Sequence, residues 1–426
     1  MASRPKNTAK TAPKSPAQTL AQSFRLPNGV VVPNRLSKSA MSEALGTMDN
    51  RPTERLERLY ARWADGGIGL CITGNVMIDR RALGEPGNVV IEDESDLPAL
   101  RRWAAAGTRR GGQLWMQINH PGKQSPRGLN RETVSPSAIG FRPDMAAFFS
   151  MPRELTDAEI RELIQRFGNT ARIAKKAGFT GVQIHGAHGY LVSQFLSPHH
   201  NRREDQWGGS PENRRRFVLE VLAEMRRQVG KDFPIGIKLN SADFQRGGFT
   251  EDESLDAIRA LAQAGIDLVE ISGGTYEAPA MTGLERKAST VAREAYFMEF
   301  AEKVRAAVKL PLMLTGGFRS LTGMAQALDS GAIDFIGLGR LLAVEPDLPA
   351  RLMRGEDPRE EIKPISTGIG MVDRMALMEV AWYTRQLRRM GEGRNPRPRE
   401  SGLQAFAIGM VENGWNTFRT RRLRAS

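Results

Sequence analysis

A short apolar run, Val182-Gln183-Ile184, stops abruptly in His185-Gly186-Ala187-His188-Gly189-Tyr190, and no other stretch constrains the fold as much. A run of that length reads as a buried parallel strand, and such strands belong to α/β folds. Polar groups just past the carboxyl end of a strand are where α/β barrels place their chemistry. His185, His188 and Tyr190 would converge there on one ligand. A His-X-X-His pair also suggests zinc, but zinc needs further ligands, and the chain has five histidines and one cysteine. No metal is expected.

The pattern recurs along the chain. Strand-like runs lie at 34–43, 68–73, 113–118, 235–240, 268–272, 312–315 and 333–338. Helical stretches separate them: one opening at Thr53, then 97–108, then 156–177 behind the capping box Thr156-Asp157-Ala158-Glu159. Ser210-Pro211 opens another, Thr250 through Glu253 caps the next, and 294–307 is the last. Before the first strand, Asn28-Gly29 between apolar runs is a hairpin signal. The polar stretch 119–155 is long enough to be functional, and is expected to wall the site, with His120 structural.

The net charge of +13 would suit a nucleic-acid binder, but residues 1–42 hold seven Lys/Arg and no acid, while 385–426 hold ten Arg and three Glu. The two ends account for the whole excess, and solvated tails explain it; specific nucleic-acid binding is not expected. Residues 1–22 read as a disordered basic tail. An organelle transit peptide is the alternative, though three prolines oppose an amphipathic helix. The single Cys71 excludes an internal disulfide and a cysteine-ligated cluster. No run is long enough to span a membrane, so a cytoplasmic protein is expected.

The segment from His185 to Arg216, with Ser197-Pro198, Asn201-Arg202, Asp205 and Trp207-Gly208-Gly209-Ser210-Pro211-Glu212-Asn213-Arg214, resembles the signature of the old yellow enzyme family. These are FMN-dependent ene-reductases and NADH:flavin oxidoreductases. The resemblance implies a (β/α)8 TIM barrel over residues 23–360; the residues themselves add an N-terminal β-hairpin plug and a C-terminal extension, 361–426, that reads as helical and basic. It implies bound FMN, with NADH or NADPH as a transient hydride donor in ping-pong kinetics. The substrate would be a small enone or enal whose activated C=C bond is reduced. His185 and His188 would hydrogen-bond its carbonyl oxygen and Tyr190 would donate the proton. Ser39, Ala40, Met41 and Ser42 would lie along the flavin, Ser42 where relatives carry Thr or Cys. Asn75 stands where relatives have Gly or Ala, which points to a backbone contact. Gln117 would bind the pyrimidine edge, which suits an amide that both donates and accepts. Lys238 would face the negative charge of a reduced flavin as a single point charge. Gly316, Gly317, Gly339 and Arg340, after the last two strands, would hold the phosphate, as barrels commonly do.

Two other readings stand beside this one. Lys238 in a barrel strand also suits Schiff-base lyase chemistry. The basic tails suit non-specific nucleic-acid binding. A homo-oligomer is compatible with the apolar stretch from Leu403 to Trp415, which would pack on the barrel or cross to another subunit.

Overall fold

The structure, a computed structural model, describes residues 14–143, 145–275, 294–362, 365–366, 377–405, 407–409 and 411. Eight parallel strands close on themselves: β1 (Leu36–Lys38), β2 (Leu70–Ile72), β3 (Gln113–Asn119), β4 (Gly181–Gly186), β5 (Ile235–Asn240), β6 (Leu268–Ser272), β7 (Leu312–Thr315) and β8 (Phe335–Leu338). β8 pairs with β1, and β3 pairs with β4 as Gln117 against Gln183, so no edge remains. This is a (β/α)8 TIM barrel. Two short strands, Val76–Met77 and Val89–Val90, prolong the sheet beyond the end of β3.

Strand alternation sorts each side chain to one of two cores. Val182 and Ile184 of β4, and Ile235, Ile237 and Leu239 of β5, face outward into the shell packed against the helices. Their neighbours face inward and stack in layers. The lowest layer is apolar: Leu70, Trp115, Leu268, Met313 and Phe335, closed from below by Leu26 and Val32. Those last two belong to the hairpin that pairs Phe24 with Val32 around Asn28-Gly29, with Gly29 at φ +90°. The hairpin is therefore the expected plug. Above the apolar layer come Gln117, Gln183, Glu270 and Thr315, and above these the polar mouth.

The helices begin where their caps lie. Asp157–Ala177 starts on the reciprocal Thr156 and Glu159 box, Glu251–Gln263 on the Thr250 and Glu253 box, and Pro211–Val229 on Ser210. The stretch after the histidines is mostly structural. Asn201 donates to the carbonyls of Phe195 and Trp207, and Arg214 donates to those of Leu196 and Gly209.

Two expectations need correction. Residues 16–20 are not part of a disordered tail: Pro16–Leu20 is a helical turn with Ser15 and Gln18 as a capping box, and Thr19 and Leu20 are buried. Pro16 occupies the first turn, where a missing N–H costs nothing. The 119–155 loop does not wall the cavity at the barrel mouth. It borders a separate cavity of about 710 Å³, beside Asp79, Arg81 and Glu162. Its first turn instead braces the mouth, since Leu191 donates to the His120 carbonyl and Gln194 to that of Pro121. The C-terminal extension is built into the barrel: the helix Leu377–Gly391 buries Trp382, Leu387 and Met390, and its Thr384 hydroxyl donates to the Ser42 carbonyl. Trp415 lies outside the described residues, as do Tyr276 and Glu277 after β6.

Close packing inside the barrel gives a direct test. A Cβ on Gly181 would stand 2.5 Å from the Trp115 ring, which fills the lowest layer. Gly181→Ala is expected to destabilise the fold by about 1–3 kcal/mol through overpacking. Urea unfolding measures this, and an unchanged midpoint would show that the layer can yield.

Candidate active site

A cavity of about 280 Å³ opens at the carboxyl end of the barrel. Thirteen of the fourteen expected positions meet on it. Ala40, Met41 and Ser42 come from the end of β1, Asn75 from the turn after β2, Gln117 from β3, and His185, His188 and Tyr190 from β4 and its turn. Lys238 of β5, Gly316 and Gly317 after β7, and Gly339 and Arg340 after β8 complete the ring. Ser39 is the exception. Its hydroxyl bonds the Thr315 hydroxyl at 2.7 Å, so the side chain faces the barrel interior rather than the cavity.

The turn after β4 is tightly specified. His188 has a positive φ of 59°, its N–H donates to Asn240 Oδ1, and its Nε2 lies 2.9 Å from Ser272 Oγ. His188 Nδ1 thereby faces His185 Nε2 at 3.4 Å. The Tyr190 ring lies 4.5 Å from the His185 ring, centroid to centroid. Burial holds both imidazoles well below their ordinary value; for His185, the neighbouring His188 and Lys238 depress it further, and for His188, Lys238 does so. Both rings are therefore neutral at pH 7, each with one N–H to give.

Register places the charges. Lys238 pairs directly across from Glu270 of β6, and Nζ lies 3.0 Å from Glu270 Oε1. Glu270 also accepts from Thr315 Oγ1 at 2.7 Å and from Gln183 Nε2 at 2.8 Å, and Gln183 accepts in turn from Gln117 Nε2 at 2.7 Å. Burial alone would raise the Glu270 carboxyl, yet Lys238 and these hydrogen bonds bring it below its usual value. Lys238 is thus committed to a carboxylate, an arrangement suited to supplying charge rather than the free amine a Schiff base needs.

The residues expected on the phosphate side also have partners. Arg340 Nη1 lies 3.0 Å from Glu379 Oε2, on the helix Leu377–Gly391. Gly316 and Gly317 take φ values of +123° and +94°, conformations that a side chain would strain. At Gly317 a Cβ would also come 2.8 Å from the Tyr296 ring.

Several lining residues escaped the sequence reading: Ser272, Tyr296, Arg319, Glu379, Tyr383 and Thr384. Ser272 was within reach, because it ends β6 two residues after Glu270 and shares its inward face. Glu379, Tyr383 and Thr384 were not, since no sequence signal says which barrel end a C-terminal helix will cover. The Asn75 prediction changes too. Its side chain, not its backbone alone, enters the cavity, with Oδ1 3.0 Å from His185 Nδ1 and Nδ2 3.4 Å from Tyr190 Oη.

Comparison with known proteins agrees with the barrel fold. The family model "NADH:flavin oxidoreductase / NADH oxidase family" matches residues 24–358. The NADH-dependent flavin oxidoreductase iliE of Hypocrea jecorina is 37% identical over 357 residues, covering 78% of this chain and 88% of that protein. Among solved structures, a 2-naphthoyl-CoA reductase complex superposes with a TM-score of 0.75 at 26% identity, covering 87% of this chain and 58% of that one. An old yellow enzyme homologue from Zymomonas mobilis superposes with a TM-score of 0.69 at 26% identity, covering 82% and 95%.

The buried imidazoles set a pH dependence. Burial pushes His120 down to about 4, and His185, His188 and His200 are also lowered. Unfolded, each ring would take a proton near its reference value of about 6.5. The unfolded chain then binds more protons than the folded one below that pH. Stability is therefore complete above about pH 6.5 and lost on acidification, by up to about 1.4 kcal/mol per pH unit for each ring. His120→Asn retains an acceptor for the Gly122 N–H and should flatten the slope between about pH 6.5 and 4. Urea unfolding across that range reads the difference, and equal slopes would contradict it.

Proposed function

The chain belongs to the NADH:flavin oxidoreductase / NADH oxidase family and is an NAD(P)H-dependent FMN oxidoreductase, and on that premise we propose that it reduces the activated C=C bond of small α,β-unsaturated carbonyl compounds. The observation that carries this reading is the convergence on one cavity of two neutral imidazoles, a phenol, and the Gln117 and Lys238 side chains.

The residues fit the cofactor. The Ser42 hydroxyl is buried at the cavity without a partner, a group ready to meet a polar ring edge. Gln117 spends one donor on Gln183, which fixes its amide and leaves an oxygen and a second N–H to offer. The glycines after β7 present backbone N–H groups with no side chain in the way. Arg340 would hold the phosphate end, and Lys238 would lie by the pyrimidine side. Held there, FMN would supply hydride transfer between NAD(P)H and the β-carbon of the acceptor.

The chain's own groups supply the rest. His185 and His188 would hold the carbonyl oxygen, which gains negative charge as hydride arrives. Fixed donors aimed at developing charge in a dry site are each worth about 3 kcal/mol. Tyr190 would give its phenolic proton to the α-carbon; a phenol, with its reference value near 10, still carries that proton at neutral pH. Gln194, accepting from the Lys123 N–H and donating to the Gly189 carbonyl, keeps the turn that carries both groups in place.

Tyr190→Phe should slow reduction of 2-cyclohexenone by at least about a hundredfold, the smaller end of general-acid effects, while leaving flavin bleaching by NAD(P)H mostly intact. Stopped-flow absorbance separates the two half-reactions, and equal loss in both would argue against the assigned role. Arg340→Ala should weaken FMN binding by about 1.5–3 kcal/mol, the worth of a charged hydrogen bond. Fluorescence titration with the apoprotein reads this directly; unchanged affinity would move the phosphate elsewhere.

A further inference from the structure

Asn75 occupies an unusual position between the two proposed chemical groups. One end of its amide lies 3.0 Å from His185 Nδ1 and the other 3.4 Å from Tyr190 Oη. Behind it, Asn119 Nδ2 lies 3.2 Å from Asn75 Oδ1. An amide donates from one end and accepts at the other, so it imposes opposite roles on its two partners. If it accepts from His185 it donates to Tyr190, and the reverse.

That reciprocity decides which His185 nitrogen carries hydrogen. The nitrogens facing each other at the cavity are His185 Nε2 and His188 Nδ1. A neutral imidazole has one N–H. A carbonyl oxygen seated there receives a hydrogen bond from His185 only if the proton is on Nε2, which leaves Nδ1 bare and in need of a donor. Of the two ends of Asn75, only the NH2 group can serve.

We propose that Asn75 is a positioning residue that, in the substrate-bound enzyme, turns its NH2 group onto His185 Nδ1 and so holds that ring as the Nε2–H tautomer. In the structure the amide oxygen is on the His185 side. The two ends have the same shape, so the turn exchanges partners without steric change. Turned, the oxygen accepts the Tyr190 O–H. Asn119 has the acceptor this requires, because its Oδ1 is buried without a partner. The assignment rests on the reading of His185 as a carbonyl ligand.

Two variants of the FMN-loaded enzyme test it, with 2-cyclohexenone as substrate. Asn75→Asp is nearly isosteric, but a carboxylate only accepts. It would pin the proton on Nδ1, present a lone pair to the carbonyl, and lower enone turnover by about a hundredfold, the scale of losing one oxyanion donor. Asn75→Ala leaves the ring free to choose and should cost only about tenfold, within the range for an imperfectly placed group. A packing role, or a fixed amide with its oxygen on His185, predicts the opposite order, because Asp keeps the volume and that contact. Aspartate retaining as much turnover as alanine therefore overturns the proposal. Tautomers are read without turnover from ¹⁵N spectra of histidine-labelled holoenzyme in saturating cyclohexanone, where the chain's five rings are sorted with His185→Gln. An unprotonated Nδ1 on His185, lost in Asn75→Asp, is expected; a protonated Nδ1 in the unsubstituted enzyme refutes it. Failure of the Tyr190→Phe test would strike the reading of the site instead, whatever the order of the Asn75 variants.

Discussion

A carboxylate sealed inside a barrel stays ionised only if the surroundings replace the water it has lost. Glu270 is fully buried, and its two oxygens are met by Lys238, Thr315 and Gln183. Breaking such a buried pair by removing one partner costs several kcal/mol, because the remaining charge has nowhere to go. The network does more than neutralise. It reaches Gln117 through Gln183 and Ser39 through Thr315, so six strands share one hydrogen-bonded tier. That tier is the floor of the cavity, and it presents Lys238 and Gln117 upward in fixed orientations.

A second buried network holds the wall. Glu43 accepts from the Tyr60 hydroxyl and from the Gly74 N–H, and Gly74 precedes Asn75. Burial keeps the Tyr60 phenol protonated, with the Glu43 charge acting in the same direction, so the tyrosine is the donor. A side chain at Gly74 would collide with Glu43 and the Met41 carbonyl. Lys38, pointing outward from β1, donates to the Ile72 carbonyl at 2.8 Å and lies over the Trp63 ring at 4.5 Å. The turn that carries Asn75 is thus anchored from the helix side, while its side chain reaches into the mouth.

Much of this was legible in residue order. The alternation in Ile235-Gly236-Ile237-Lys238-Leu239 put Lys238 inside, and the caps at Thr156, Ser210 and Thr250 marked helix starts to the residue. The glycine turns after β7 and β8, read as a phosphate cradle, do border the cavity. What residue order did not reveal was register. Glu270 is one carboxylate in an apolar strand until β5 and β6 pair and set it directly beside Lys238. Ser39 was misread for a related reason: whether the last inward residue of a short strand meets the cavity or the tier below depends on barrel stagger. The helix Leu377–Gly391 was foreseen as helical, but its docking depends on contacts with residues more than three hundred positions away, such as Thr384 with Ser42.

That helix changes what binding at the mouth entails. Arg340 already has an anion in Glu379, whose carboxyl burial raises against the opposing pull of Arg340. On the proposed reading, a phosphate arriving at the glycine turns would compete with Glu379 for one guanidinium. If the phosphate wins, Glu379 loses the partner that keeps it ionised, and the burial that already raises it then favours the protonated form. On that reading, phosphate binding and proton uptake at Glu379 would be linked by that exchange. The same residue stands on the helix that donates to Ser42, so the two ends of the cavity are joined by one element. On the proposed reading of Arg340, cofactor occupancy and the seating of this helix would be parts of a single equilibrium.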